Sequence, residues 1–364
     1  MNMRDDAWFD FWRGRRVFLT GHTGFKGAWM SLWLRRLGAQ VTGYALPPVG
    51  YPNLWALLEG AICADGSMRS DIGDIGNFER LTAAVTRADP QVVFHMAAQA
   101  LVRESYRHPL TTYATNVLGT GAVLQACRPL RQLQSIIVVT SDKVYENNGE
   151  GRPFTENDRL GGHDPYSNSK ACAEMLTMSF RESFFADGPP IATVRAGNVV
   201  GGGDWSQDRL IPDCVRALAT GEAVQLRYPD AVRPWQHVLE PLGGYLSLAV
   251  ALAKNPKNMP RAVNFGPDAA SFCSVREVVD AFGSRFGGKP GWRRDPSPHQ
   301  PEARALTLCS ALAATALAWR PALDIRETLA WTADWYSAHA AGENMSAFSE
   351  AQITRYVDLM GRAQ

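Results

Sequence analysis

Two short stretches of this sequence carry paired ionisable groups. In "VTSDKVY", Val139 to Tyr145, a carboxylate and an ammonium, Asp142 and Lys143, follow directly on the apolar run "SIIVV", Ser135 to Val139. Neighbours on a strand point to opposite faces, so both can act on one substrate only where the strand has ended and the chain turns. The bland alternative is an exposed ion pair at the start of a loop, worth little to stability. In "YSNSK", Tyr166 and Lys170 stand four residues apart at the start of a helical stretch ending near Phe185. That spacing places both on one helix face, where an ammonium would lower the phenol pKa from about 10 toward neutrality. A phenolate so prepared can take a proton from a sugar hydroxyl while hydride leaves the same carbon for a nicotinamide. A Tyr-x-x-x-Lys spacing alone is common on helix surfaces; its weight comes from its surroundings.

The third stretch is "TGHTGFKGAW", Thr20 to Trp29, with glycines at 21, 24 and 27. It follows the buried-strand pattern "RVFLTG" and opens the helical pattern "GAWMSLWLRRLG", which closes at Gly38. A turn so placed lets the backbone from Gly21 through Thr23, Gly24, Phe25 and Lys26 to Gly27 approach a pyrophosphate at the positive end of the helix. A tight strand-to-helix turn with no ligand is the alternative. The second strand lacks the acid that commonly binds a ribose: "GYALPP" offers Tyr44, Ala45 and Leu46. No arginine replaces it to hold a 2′-phosphate, which favours NAD over NADP. In "RSDIGD", Asp71 and Ile72 offer a polar and an apolar contact to an adenine edge, and a loop aspartate capping the next helix fits the spacing equally well.

Strand-then-helix alternation positions these groups. After "RVFLTG" come "AQVTGYAL", "PQVVFHMAA" and "SIIVVTS" with helical patterns between, predicting an α/β fold with helices on both faces of a parallel sheet. Beyond about residue 196, "GNVVGGGDW", "RYPDAVRPWQHV" and "NFGPDAASF" are loop-rich and suited to building a pocket. Helices return in "SVREVVDAFGSRFG" and "LDIRETLAWTADWYSAHAA", the second opened by Asp324 as N-cap with Glu327 three residues on. With 364 residues, 46% of them apolar, the chain can bury one large domain or two joined ones. A net charge of +1 and the absence of like-charge runs argue against nucleic acid as a partner. Six scattered cysteines without a CxxC pair suggest neither a zinc site nor a disulfide framework, and fit reduced thiols in a cytoplasm. No segment reads as a signal peptide or a membrane span.

Together "TGHTGFKG", "HMAAQ", "TSDKVYE", "PYSNSK", "RAGNVVGGGDW" and "RPWQHVLEPL" resemble the extended short-chain dehydrogenase/reductase family, within it the sugar-nucleotide 4,6-dehydratases, from about Phe11 to about Met345. The resemblance implies a Rossmann-type doubly wound NAD-binding domain over 12–195 with a return segment at 236–265. A smaller, loop-rich α/β substrate domain would take 196–235 and 266–345. It implies oxidation of a sugar nucleotide at C4, loss of water across C5 and C6, and return of the hydride to C6, with CDP-glucose the preferred substrate and NAD regenerated each turnover. By position Asp142 would protonate the leaving C6 hydroxyl. Lys143 would take the place of the C5 base, either as a neutral amine or as a charged stabiliser of the enolate. Ser141 would hydrogen-bond the sugar beside Tyr166, and Tyr166 and Lys170 would also contact the cofactor.

The resemblance also implies that Asn198 and Arg233 contact the substrate's diphosphate or ribose. Arg209 offers a further cationic fork, a surface ion-pair partner being the alternative for either arginine, and Glu302 offers a ribose contact. Ala97, Ala98 and Gln99 of "HMAAQ" would lie against the cofactor, whereas His95 reads as a packed core residue. Asn116 would order the helix beneath the site, an ordinary helix-interior amide being the alternative. By family habit the chain pairs as a homodimer or higher oligomer through the helix after Pro109 and the one after Tyr166. A 4-epimerase, which needs no acid-base pair at 142 and 143, is the enzymatic rival; a noncatalytic dinucleotide-binding scaffold is the other.

Overall fold

Strand β1, Arg16–Thr20, is buried at four of its five positions, as a central parallel strand covered on both faces must be. In the computed structural model, which describes residues 6–286, 288, 291–297 and 305–360, it lies at the middle of a seven-stranded sheet. On one side lie β2 (Gln40–Ala45) and β3 (Met68–Ile72). On the other lie β4 (Val92–His95), β5 (Ser135–Val139) and β6 (Ile191–Ala196). Four short strands follow, β7 (Val199–Val200), β8 (Val224–Leu226), β9 (Val232–Pro234) and β10 (Gln236–His237). Then β11 (Ala262–Phe265) returns to the sheet beside β6. "NFGPDAASF" therefore begins inside the central sheet and becomes loop only after Phe265.

All six pairings in the sheet are parallel, in the order β11-β6-β5-β4-β1-β2-β3. The direction of winding reverses between β1 and β4, and ligands of such sheets bind in the crevice outside the strand ends at that reversal. Alternate residues of β5 feed opposite cores: Ile137 and Val139 pack on one face, Ile136 and Val138 on the other. One face carries the helices Phe25–Arg36 and Leu239–Lys254. The other carries Phe78–Ala88 and Gly119–Cys127.

Two elements lie outside the sequence expectations. The helix Asp6–Trp12 drives Trp8 and Trp12 wholly into the core, with Trp12 stacked on Phe94 of β4. At the other end, the helix Met345–Met360 packs on Phe25–Arg36 and on Leu54–Ile62. The helix predicted over "GAWMSLWLRRLG" runs Phe25–Arg36, and Gly38 follows with φ of 78°. Asp324 and Glu327 form the expected capping box of Ile325–Ala340. Away from the main sheet, β9 pairs with β12 (Phe272–Ser274) and β8 with β13 (Trp292–Arg294), and the helix Val275–Phe286 packs on Ile325–Ala340. Among the described residues no helix is long and apolar enough to cross a membrane.

Candidate active site

A cavity of about 310 Å³ opens at the sheet's C-terminal edge, walled also by residues of the 196–235 stretch. Its walls include Lys26, Ser141, Asp142, Lys143, Tyr166, Asn198, Arg209 and Arg233. Strand β5 stops at Val139. Ser141, still extended, then accepts the Lys143 N–H on its Oγ at 3.2 Å and starts a single 3-10 turn, Asp142–Val144. Within that turn the alternation of a strand no longer applies, so Asp142 and Lys143 both line the cleft.

Asp142 is 3% exposed. Its Oδ1 accepts from Ser141 Oγ at 3.1 Å, while Oδ2 has no hydrogen-bond partner among the described residues. That oxygen lies against Gly197, where an added Cβ would come within 2.7 Å of it. Burial pushes the carboxyl pKa up, against the pull of Lys143, the Ser141 hydroxyl, Arg233 and Lys26. An upward shift is the direction a general acid requires.

Tyr166 and Lys170 share one face of the helix Pro165–Phe184, whose N-cap Asp164 accepts from the Ser167 N–H. The phenol differs from the sequence expectation. Burial pushes the Tyr166 pKa up, opposed by the Ser141 hydroxyl, and the Lys170 Nζ is bonded to the Val139 carbonyl at 3.0 Å rather than held on the phenol. Lys170 is itself lowered to about 8 by burial, with Glu174 opposing. Desolvation thus holds the Tyr166 phenol above its ordinary pKa, and an ammonium one turn away does not outweigh it.

Arg209 reaches the cleft, but its guanidinium is already paired with buried Asp204 at 2.8 Å, leaving its other nitrogens for a ligand. Arg233 donates to the carbonyl of Val232 at 2.9 Å, and its charge acts on Asp142. Asn198 follows β6 and accepts the Gln236 N–H on its carbonyl, which ties β10 to the cleft wall. Glu302 lies outside the described residues. Lys26, read from sequence as part of the glycine turn, points into the same cleft. Burial, reinforced by Arg209, lowers it to about 7.

The crevice beside this cleft fits a dinucleotide. Gly21 has φ of 77° and its missing Cβ would strike the backbone of Ala97 at 2.8 Å; that of Gly27 would strike the Gly21 carbonyl at 2.0 Å. Gly24 is different. A Cβ there would meet nothing closer than the Gly21 carbonyl at 3.4 Å, so this glycine faces open space at an uncapped helix N-terminus, the cradle a pyrophosphate requires. Of the residues expected to hold the cofactor, Lys26 and Tyr166 line the cleft, and Gly21 lies against the backbone of Ala97. Ile72, at the end of β3, is 39% exposed and free to cover an adenine. Asp71 caps no helix: Asn77 caps Phe78–Ala88, and Asp71 pairs with Arg69 at 2.8 Å and Arg87 at 2.5 Å.

Asn116 sits in a π-helical turn, Ala114–Leu118, in an otherwise α-helical run. Its amide holds the Gln99 backbone at both ends, accepting from N–H at 2.9 Å and donating to C=O at 3.0 Å, and it also donates to Ser169 Oγ. It thereby ties the "HMAAQ" segment to the Tyr166 helix. His95 is a core residue as expected, bonded to Thr20 and Thr120 and lowered to about 3 by burial. The sequence reading passes over Glu174 and Arg195, a buried ion pair behind the turn at 141–144. The available signal for Glu174 is its spacing, four residues beyond Lys170.

A doubly wound sheet with a glycine turn at its switch point and a Tyr-Lys helix beside it defines an extended short-chain dehydrogenase/reductase fold. The sequence pattern of the family described as GDP-mannose 4,6 dehydratase matches residues 18–261. A curated relative, the CDP-glucose 4,6-dehydratase of Salmonella typhimurium, is 42% identical over 359 residues, covering 97% of this chain and 99% of its own. The chain belongs to this dehydratase family. Among solved structures, a dTDP-glucose 4,6-dehydratase from Bacillus anthracis in complex with NAD superposes with a TM-score of 0.76 at 21% identity, over 91% of this chain and 99% of its own. A UDP-glucose 4-epimerase from Thermotoga maritima with UDP-glucose gives 0.77 at 20% identity, over 89% and 99%. Both share the fold.

Proposed function

We propose that this chain is an NAD-dependent 4,6-dehydratase that converts CDP-glucose to CDP-4-keto-6-deoxyglucose. The observation that carries the reading is Asp142: a carboxyl buried in the cleft, with one unpartnered oxygen and a pKa pushed up by burial, next to Lys143 and facing the same cleft as Tyr166. A 4-epimerase has no use for such a group. The choice of CDP-glucose is supported by the Salmonella relative, at 42% identity over nearly the whole of both chains.

The turn from Gly21 to Gly27 would hold NAD, whose nicotinamide would supply the hydride acceptor for C4 and the donor for C6. The chain's own residues do the rest. Tyr166, reacting as the phenolate that the Lys170 ammonium favours, takes the C4 hydroxyl proton while the hydride leaves C4, and Ser141 hydrogen-bonds the sugar beside it. Asp142 donates its proton to the C6 oxygen as it leaves as water. Lys143 takes the C5 proton as the C5–C6 double bond forms and the C6–O bond breaks, and returns it to C5 when the hydride reaches C6. Lys26, Arg209 and Arg233 give the cleft the positive charge a nucleoside diphosphate needs, and Asn198 offers an amide beside them.

The division into a cofactor domain, 12–195 with 236–265, and a substrate domain, 196–235 with 266–345, is supported by the return of β11 to the main sheet. A homodimer is supported by apolar side chains left in solvent on the two helical runs named for it: Leu110 and Leu118 on one, Met175, Met178 and Phe184 on the other. A cytoplasmic enzyme acting on a soluble nucleotide sugar fits this reading.

Mass spectrometry of the nucleotide products tests it, with NAD added and CDP-, UDP-, dTDP- and GDP-glucose offered separately. Loss of one water from CDP-glucose is the expected result. Unchanged mass with C4 inverted would replace the dehydratase reading by the epimerase one.

A further inference from the structure

We propose that the buried Glu174–Arg195 ion pair is a positioning unit that sets the Asp142–Lys143 turn against the Tyr166–Lys170 helix face, an inference that rests on the dehydratase reading. Glu174 continues the face of Tyr166 and Lys170 by one more helical turn, pointing at the sheet rather than at the cleft. Both members of the pair are 4% exposed, and the contact is bidentate: Arg195 Nε to Oε1 and Arg195 Nη2 to Oε2, each 2.8 Å. Thr140 Oγ1 donates to Oε1 and Thr193 Oγ1 to Oε2, each at 2.6 Å, so every favourable acceptor direction of the carboxylate is used.

The other end of the guanidinium explains why the pair matters to chemistry. Arg195 Nη1 donates to the Tyr145 hydroxyl at 2.8 Å, and that hydroxyl donates to Asn264 Oδ1 at 2.7 Å. Thr140 immediately precedes Ser141, and Tyr145 immediately follows the 3-10 turn. The two residues that flank Ser141, Asp142, Lys143 and Val144 are thus both tied to one salt bridge, and the salt bridge is anchored on the helix that carries Tyr166 and Lys170. Neither Glu174 nor Arg195 lines the cleft. Their effect is on where Asp142 stands relative to Tyr166.

A merely structural role would make a different prediction. A buried ion pair is weak evidence for stability, because replacing both partners by well-packed neutral groups is often neutral or stabilising, whereas removing one leaves a charge stranded. Retention of a fully satisfied charged network behind a two-residue acid-base turn is better explained by geometric constraint: an error of about 1 Å in a reacting group can cost about 100-fold in rate.

The test uses Thr140→Val and Tyr145→Phe, which cut the two tethers and keep side-chain shape, beside the double variant Glu174→Gln/Arg195→Met. The full-length enzyme is compared for kcat and KM on CDP-glucose, NAD affinity by calorimetry, Tm, and crystal structure. Expected is a fall in kcat of about 10- to 100-fold in each variant, with KM and NAD affinity held within about twofold, the signature of lost transition-state positioning. The crystal structures should show the 141–144 turn displaced while the Tyr166 helix stays in place. Folded variants with wild-type kcat, or an undisplaced turn, would overturn the proposal, as would parallel losses in kcat, NAD affinity and Tm. A wild-type enzyme that leaves CDP-glucose intact would instead refute the dehydratase reading, while the displacement of the turn would still decide the positioning role.

Discussion

A carboxyl that must give up a proton and a lysine that must meet an anion are tuned by one physical term, the cost of taking charge out of water. At Asp142 that cost favours the neutral acid; at Lys26 it favours the neutral amine, lowered to about 7. Replacing Asp142 by Asn, or Lys143 by Ala, should cut water loss from CDP-glucose by about 100- to 10,000-fold, the range of a general acid or base, while NAD affinity holds. Product mass analysis beside calorimetry checks this. For Lys26 the sign runs the other way. A diphosphate in the cleft raises its pKa toward the ordinary lysine value, so binding CDP-glucose at about pH 8 should take up close to one proton. Calorimetry in buffers of different ionisation enthalpy reads that uptake, and Lys26→Met should abolish it. Sequence could name Lys26 as part of a glycine turn, but its approach to Asp142, Lys170 and Arg209 depends on elements far apart in the chain.

At the scale of elements, the glycine turn and the π-helical turn divide the work of holding a cofactor. Gly27 packs against the Gly21 carbonyl, so Gly27→Ala must push the turn apart. Gly24 faces the crevice with backbone angles, φ −78° and ψ 167°, that alanine adopts freely. Gly24→Ala should therefore keep the wild-type Tm while NAD affinity falls by at least about tenfold, because its methyl occupies the place of the pyrophosphate. Thermal unfolding with and without NAD separates the two variants. The alternating strand-helix order was legible in the chain because parallel strands buried on both faces read as apolar runs. The π turn at Asn116 was not, since it depends on the amide finding Gln99 and Ser169 across the fold.

Across the whole molecule the ends of the chain close over the sheet. Glu240, fully buried in the helix Leu239–Lys254, accepts from the Ala322 and Leu323 N–H groups and from the Tyr356 hydroxyl of the last described helix. Burial raises its pKa from 4.5 to about 7. Between those values the folded chain keeps a proton that the unfolded chain has released, so this group's contribution to stability falls as pH rises from about 4.5 to about 7 and is flat on either side. The swing is about 3 kcal/mol. Glu240→Gln should flatten it, as measured by denaturant unfolding across that range. The exposed apolar helices make a second prediction at this scale. Leu118 is 69% exposed, and Leu118→Glu should convert a dimer to a monomer in light scattering while leaving the fold intact.

Much of this protein was written locally. Chemistry that depends on neighbours in sequence was readable from residue order: the Tyr-Lys helix face, the Asp-Lys pair at a strand end, the glycines of the first turn, the box that caps Ile325–Ala340. Whatever depends on dielectric and on distant partners was decided by tertiary packing. Spacing predicted a phenol lowered by Lys170; burial raised it instead and gave the lysine to the Val139 carbonyl. Arg209 read either as a cationic fork for the substrate or as an ion-pair partner, and packing gives it both a place in the cleft and a pair with Asp204. Arg195 and Glu174 are separated by a loop and a strand, and only the packing of the helix on β6 turns them into the support of the catalytic turn. Sequence specifies which groups are available. Desolvation and long-range pairing, set once the sheet has closed, decide their charge and their aim.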